Sequence, residues 1–157
     1  MIRANNSVSV LIRPIALGDV TAAVNLIIGG STRPETERPD QTAPYWAAVE
    51  ETRSRRGDVL VAEQDNEVVG ICQVLIFQHF QHTGGWCGEI ESVHVRADKR
   101  SQGIGAALLE AAEALAIERG CYRVQLTSNN VRQEAHRFYS DHGYVSSHHG
   151  FKKFFST

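Results

Sequence analysis

Apolar positions along the chain recur with a period of two in some stretches and near 3.6 in others, and each switch marks an element. Val8 to Arg13 reads as a first strand that ends at Pro14. Asp19 then stands as an N-cap before Val20, Val24, Ile27 and Ile28, a helix that stops at Gly29-Gly30. Ser31 to Pro44 is polar and carries Pro34, Pro39 and Pro44, which predicts a surface loop and a candidate part of a substrate lid. A weaker helical pattern covers Tyr45 to Arg56. Val59 to Ala62 is a short strand, and Asp65-Asn66 supplies a hairpin turn into Val68 to Phe77. Both alternating faces of that second run are largely apolar, so it should lie in the middle of a sheet covered by helices.

Gln78 to Gly85 brings His79, His82 and a Gly84-Gly85 turn, and Gly88 to Val95 forms the next strand. Ile104, Ala107, Leu108, Ala111, Ala112 and Leu115 then recur at helical spacing until Gly120. Tyr122, Val124 and Leu126 alternate with Arg123, Gln125 and Thr127 in a strand with one apolar face. Asn130, with Gln133 completing a capping box, opens a helix that runs to about His142 and is terminated by Gly143. Tyr144-Val145 and Phe151 to Phe155 predict a closing hairpin around Gly150. The order β, α, α, β, β, β, α, β, α, β, β gives a mixed α/β domain with a central antiparallel meander and one βαβ crossover. A single domain over residues 1–157 is expected from the length.

Composition narrows the class. A formal charge of -2 argues against a general nucleic-acid binder. Arg53, Arg55 and Arg56 form the one basic cluster and read as a solvated helix end. Cys72, Cys87 and Cys121 are odd in number and sit in apolar runs, as buried free thiols of a reducing compartment do. No apolar run is long enough to cross a bilayer, and Met1 to Val10 lacks the pattern of a signal peptide, so a cytoplasmic location is expected. The seven histidines show no zinc spacing, and no metal is expected.

The chemistry concentrates at Arg100-Ser101-Gln102-Gly103-Ile104-Gly105. A strand, a glycine-bearing loop and a helix N-terminus together make a phosphate site, because free N–H groups and the positive end of the helix dipole converge there. With this loop, Asn130, the run Ala135-His136-Arg137-Phe138-Tyr139, Gly143-Tyr144 and the opening Ile12-Arg13-Pro14, the chain resembles the GNAT superfamily of acyl-CoA-dependent N-acyltransferases over nearly its whole length. Trp86, Gly88-Glu89-Ile90, the Ala135 to Tyr139 run and Ser147-His148 resemble, within it, aminoalkylphosphonate N-acetyltransferases.

The resemblance implies a GNAT-like fold, a mostly antiparallel sheet flanked by about four helices, and acetyl-CoA as the acyl donor. It places the pyrophosphate on Arg100, Ser101, Gln102, Gly103, Ile104, Gly105 and Ala106, and the pantetheine along Val93, His94 and Val95, near an expected bulge, with Asn130 contacting the same arm. Tyr139 falls at the general-acid position and Glu89 at a position used as base. Glu91 shares the face of Glu89 on a regular strand, and His94 is a further candidate base. His79 and His82 are candidate acceptor-site residues. Cys87 and Cys121 raise a covalent acetyl-cysteine route, but nothing in the sequence marks either thiol as activated. The expected activity is acetyl transfer to the primary amine of a small molecule by direct attack. A protein N-terminal or lysine acetyltransferase and a non-catalytic CoA-binding domain stay open. A homodimer is an expectation of the resemblance alone; no nucleic-acid or membrane partner is expected.

Overall fold

The computed structural model describes residues 9–156, so Val8 of the expected first strand lies outside the described residues. The chain divides between Gln125 and Leu126 into two units. The first holds strand β1 (Leu11–Pro14), helix α1 (Val20–Gly30), helix α2 (Thr42–Ser54), β2 (Asp58–Gln64), β3 (Glu67–Gln78), a short turn α3 (Gln81–Gly84), β4 (Trp86–Val95), α4 (Ile104–Glu118) and β5 (Cys121–Gln125). Its five strands lie in sequence order; β1 to β4 pair antiparallel, and β5 lies parallel to β4 after the α4 crossover.

Local chemistry explains most of these elements. Asp65 and Asn66 both take positive φ, 54° and 62°, which gives the β2–β3 hairpin a tight two-residue turn matched to strand twist. β3 is third of five, with Val69, Ile71, Cys72, Val74 and Ile76 buried, as its two apolar faces predict. Ile71 packs with Val20, Val24 and Val49 of α1 and α2. On the opposite face, the Cys72 thiol points at the Leu108 carbonyl of α4, 3.9 Å away. The two faces of one strand therefore meet helices on both sides. Gly70 lets α4 close in, since a Cβ there would sit 3.0 Å from Leu108 Cδ1 and 3.2 Å from Ile104 Cγ2.

Two local expectations need correction. Helix α2 begins at Thr42, not Tyr45, because Pro44 falls in its first turn, where its missing N–H costs nothing. Asp19 precedes α1 but does not cap it with its side chain. Its carboxylate instead accepts from Arg13, 2.6 and 3.1 Å, and from the Ala16 N–H, 2.8 Å. The basic cluster stands at the end of α2, as expected, with Arg55 and Arg56 exposed. Arg53 donates to Asp58 and to the Ile15 carbonyl, Arg55 pairs with Glu51, and the Arg56 guanidinium lies 4.3 Å over the Trp86 ring.

The second unit contains α5 (Gln133–Asp141). The capping box expected at Asn130 is absent, and the helix starts at Gln133 after Arg132. Asn129 accepts the Val131 N–H through its own side chain, 3.1 Å, and this Asx turn delays the helix. Gly143, at φ 86°, ends α5 as expected: Tyr144 N–H reaches the Tyr139 carbonyl, and Gly143 N–H reaches that of Ser140. The closing hairpin is not formed; residues 144–156 contain no strand. Tyr144-Val145 and Phe154-Phe155 are adjacent apolar pairs that a strand would send to opposite faces, so the segment lacks the alternation that favours a half-buried strand. Val145 and Phe151 are exposed.

Arg13 also bonds Glu63 of β2, 2.7 Å, so one guanidinium ties β1 to β2 and to the turn before α1. The hydrogen bond from Arg13 holds the Asp19 carboxyl below its usual range, against the opposing effect of burial. A depressed carboxylate stabilises the fold above its unfolded pKa, about 3.9, and that contribution is lost as pH falls through the folded value. Asp19→Asn should therefore cost about 1–2 kcal/mol at pH 7. Thermal melts of the two proteins should converge as pH is lowered past the unfolded carboxylate value and through the depressed folded one.

Candidate active site

β4 pairs with β3 along its whole length, but with β5 only from Trp86 to Glu89, where Glu89 lies beside Gln125. Beyond that point β5 ends, and Ile90 to Val95 carry no β5 ladder. A strand edge presents alternating N–H and C=O groups, the complement of an amide-bearing arm laid alongside. Val93, His94 and Val95 are on this stretch.

The same stretch is bulged. Glu91 sits opposite Gln73 and His94 opposite Ile71, so Ser92 and Val93 together face the single residue Cys72 of β3. Ser92 takes φ 53° to make this possible. Register then decides which side chains share a face. Glu89, Glu91 and His94 lie opposite Leu75, Gln73 and Ile71, an alternate set on one face of β3. Simple alternation would have sent His94 to the other face; the bulge brings it back. His94 is received there by Gly30 at the end of α1, where a Cβ would lie 2.3 Å from its Nδ1. A cavity of about 90 Å³ on this face is lined by Val20, Val24, Tyr45, Ile71, Gln73 and Ser92, among others. The Tyr45 hydroxyl donates to Glu37 and accepts the Arg38 N–H, both 2.8 Å, which ties the Ser31 to Pro44 loop to α2.

Glu89 is half-buried, and its Oε2 accepts from Gln125 Nε2 at 2.6 Å. Gln125 Oε1 in turn accepts from Arg123 at 2.9 Å. The sequence reading placed Arg123 and Gln125 on the polar face of β5 without a role. The signal was their alternation with Tyr122 and Val124, but only the parallel register sets Gln125 against Glu89.

After Val95 the backbone is tied down before the glycine loop. Arg96 N–H reaches the Val69 carbonyl, and its guanidinium holds Glu67 and Asp98. Arg100 Nε donates to the Val95 carbonyl, 3.2 Å. Ser101 and Gly103 then take φ 61° and 84°, and α4 begins at Ile104. Its first helical bond is donated by Ala107 to Gly103, and no side chain caps it. The N–H groups of Ile104, Gly105 and Ala106 are thus left outside the helical ladder at the positive end of a 15-residue helix. A Cβ on Gly103 would meet nothing within 4 Å, so the loop face is open. This donor set fits a pyrophosphate.

His79 and His82 gather elsewhere, around Tyr122 where β4 and β5 begin. His79 Nδ1 is 2.7 Å from the Tyr122 hydroxyl, and the His82 and Tyr122 rings are 4.7 Å apart. They stand at the end of β4 away from the glycine loop. Burial pushes the Cys72 thiol up to about 12 and, with Cys87 nearby, raises Cys121, the opposite of an activated thiolate at those two positions. Among the described residues no three His, Cys, Asp or Glu side chains are grouped for a metal ion. No helix among them is long and apolar enough to cross a membrane.

Asn130 and Tyr139 belong to the second unit. Tyr139 is half-buried on α5, edge-on to Phe138 and Tyr144 with centroids 5.4 and 5.8 Å apart. The Asn130 carbonyl accepts from Gln133 Nε2, 2.8 Å.

β4, fourth of the five strands, leaves its β5 ladder just before an uncapped, glycine-led helix, so a strand edge and an anion-binding helix start lie in sequence along one element. Residues 28–144 match the acetyltransferase (GNAT) family, and the chain belongs to that family. Its enzymes use acetyl-CoA as co-substrate. The chain is 39% identical over 93 residues to an aminoalkylphosphonate N-acetyltransferase of Salmonella typhimurium, covering 59% of this chain and 60% of that protein. It is 30% identical over 114 residues to a probable glucosamine 6-phosphate N-acetyltransferase of Oryza sativa, covering 68% and 67%. Among solved structures, a transcriptional regulator from Bacillus halodurans superposes with a TM-score of 0.86 at 33% identity, over 94% of this chain and 100% of that one.

Gly103→Ala keeps its Cβ in open space, so its cost is the left-handed backbone, about 1–2 kcal/mol. The loop should relax away from its anion-binding form, and calorimetric titration should show acetyl-CoA bound roughly tenfold more weakly.

Proposed function

We propose that this chain transfers an acetyl group from acetyl-CoA to the primary amine of a small molecule by direct attack. The observation that carries the reading is the half-buried Glu89, set where the ladder between β4 and β5 stops and the strand edge leading to the α4 N-terminus begins. The named activities of the two relatives support an amine that also bears a phosphonate or phosphate group.

Acetyl-CoA supplies an activated acyl carbon and a thiolate leaving group. In this reading Arg100, Ser101, Gln102, Gly103, Ile104, Gly105 and Ala106 hold its pyrophosphate, chiefly through backbone N–H groups, and Val93 to Val95 align the pantetheine arm. Asn130 contacts the same arm. The amine arrives as an ammonium ion and must lose a proton before it can attack. Glu89 accepts that proton, directly or through water, while Glu91 and His94 stand on the same face of the strand. Tyr139 donates a proton to the departing thiolate; its hydroxyl suits the role because a phenol stays protonated at neutral pH. His79 and His82, at the far end of β4, are assigned to outer acceptor contacts.

An amine panel followed by CoA release tests the activity. An aminoalkylphosphonate or an amino-sugar phosphate should release CoA well above the hydrolysis rate, and no release with any amine would leave only a CoA-binding domain. Tyr139→Phe should lower turnover by roughly a hundredfold with acetyl-CoA affinity intact. Unchanged turnover would remove Tyr139 from the acid role.

A further inference from the structure

We propose that Gln125 is a positioning residue for the reaction: anchored by Arg123, its side-chain amide holds one oxygen of Glu89 and leaves the other to take the substrate's proton. The inference rests on the reading of Glu89 as base.

The geometry fixes the direction of every bond in this chain. Arg123 has only donors, so the amide group 2.9 Å from it must be the Gln125 oxygen. The amide nitrogen is thereby turned toward Glu89, and Nε2 donates to Oε2 at 2.6 Å. The Cys87 thiol, 3.9 Å away, also points at the Gln125 oxygen. An amide held on one side by a donor-only cation cannot flip without placing its oxygen against the carboxylate. Gln125 is thus a one-way spacer between a guanidinium and a carboxylate. It keeps Arg123 from pairing directly with Glu89, which would take up the oxygens the substrate needs.

The other groups facing Glu89 do not replace this contact. Cys87 and Glu91 are its same-face neighbours on β4, and His94 follows beyond the bulge. β3 presents Leu75 and Gln73, which do not titrate, and α1 carries no titratable side chain. Arg123 is the cation on β5. Removing the Gln125 donor should therefore leave the Glu89 carboxylate without the contact that fixes which oxygen it presents, and the pH dependence of the reaction should change.

The test is the pH profile of kcat/KM, with acetyl-CoA affinity and melting temperature measured in parallel. Gln125→Met keeps the volume and removes the donor; kcat/KM should fall roughly tenfold and the acid limb should move. Gln125→Glu should move it further, because adjacent carboxylates share a proton. Arg123→Met, at an exposed guanidinium, frees the amide to turn and should move the limb in the same direction even if Gln125 variants fold poorly. Glu89→Gln should abolish the limb. If Glu89→Gln abolishes it and the folded Gln125 and Arg123 variants leave it in place, the positioning role is wrong and the base reading stands. If Glu89→Gln keeps the limb, the base reading falls and takes this inference with it.

Discussion

Strand β4 has two neighbours for its first residues and one for the rest, and the site follows from that asymmetry. β5 runs beside it only to Gln125, so from Ile90 onward the strand stays paired with β3 and is no longer paired with β5. An extended amide chain laid along such a strand meets the same N–H and C=O groups that a further strand would. The bulge at Ser92 and Val93 adds a second consequence, since one extra residue reverses the facing of everything after it. Glu89, Glu91 and His94 share a face because the strand is irregular between them.

The anion end of the site depends on how firmly its approach is held. Arg96 ties the end of β4 to β3 through Val69 and Glu67, and Arg100 folds back onto Val95. The helix that follows is pressed against β3 at Gly70, where no side chain intervenes. A loop anchored at both ends can keep Ser101 and Gly103 in the left-handed region and aim three amides outward. The cations beside this loop are largely engaged in holding it. The free backbone donors are what remain for a phosphate.

Charge is distributed differently at the two working ends of β4. The loop end offers donors and positive dipole, while the middle of the strand offers carboxylates. Such a separation suits a reaction that binds an anionic donor in one place and deprotonates an ammonium in another. The Glu89–Gln125–Arg123 chain keeps a surface cation close to the carboxylate without neutralising it by a direct pair.

The sequence by itself determined the parts governed by neighbours along the chain. Asp65-Asn66 makes the turn, Gly143 stops α5, and the apolar periodicity gives α4 and the doubly buried β3. It also carried the glycine loop, because a strand, a glycine and a helix start are all local. Tertiary structure decided what depends on partners far away. Asp19 looked like a cap, but Arg13, with Glu63 on the next strand, drew its carboxylate into an ion-pair cluster. Asn130 looked like a cap until Asn129 turned the chain first. The expected hairpin after Tyr144 is not formed, and its adjacent apolar pairs lack the alternation of a half-buried strand. Above all, the face of His94 and the partner of Glu89 were set by register, which no periodicity reports. A register shift of one residue costs nothing in local propensity, and only pairing with strands many residues away selects it.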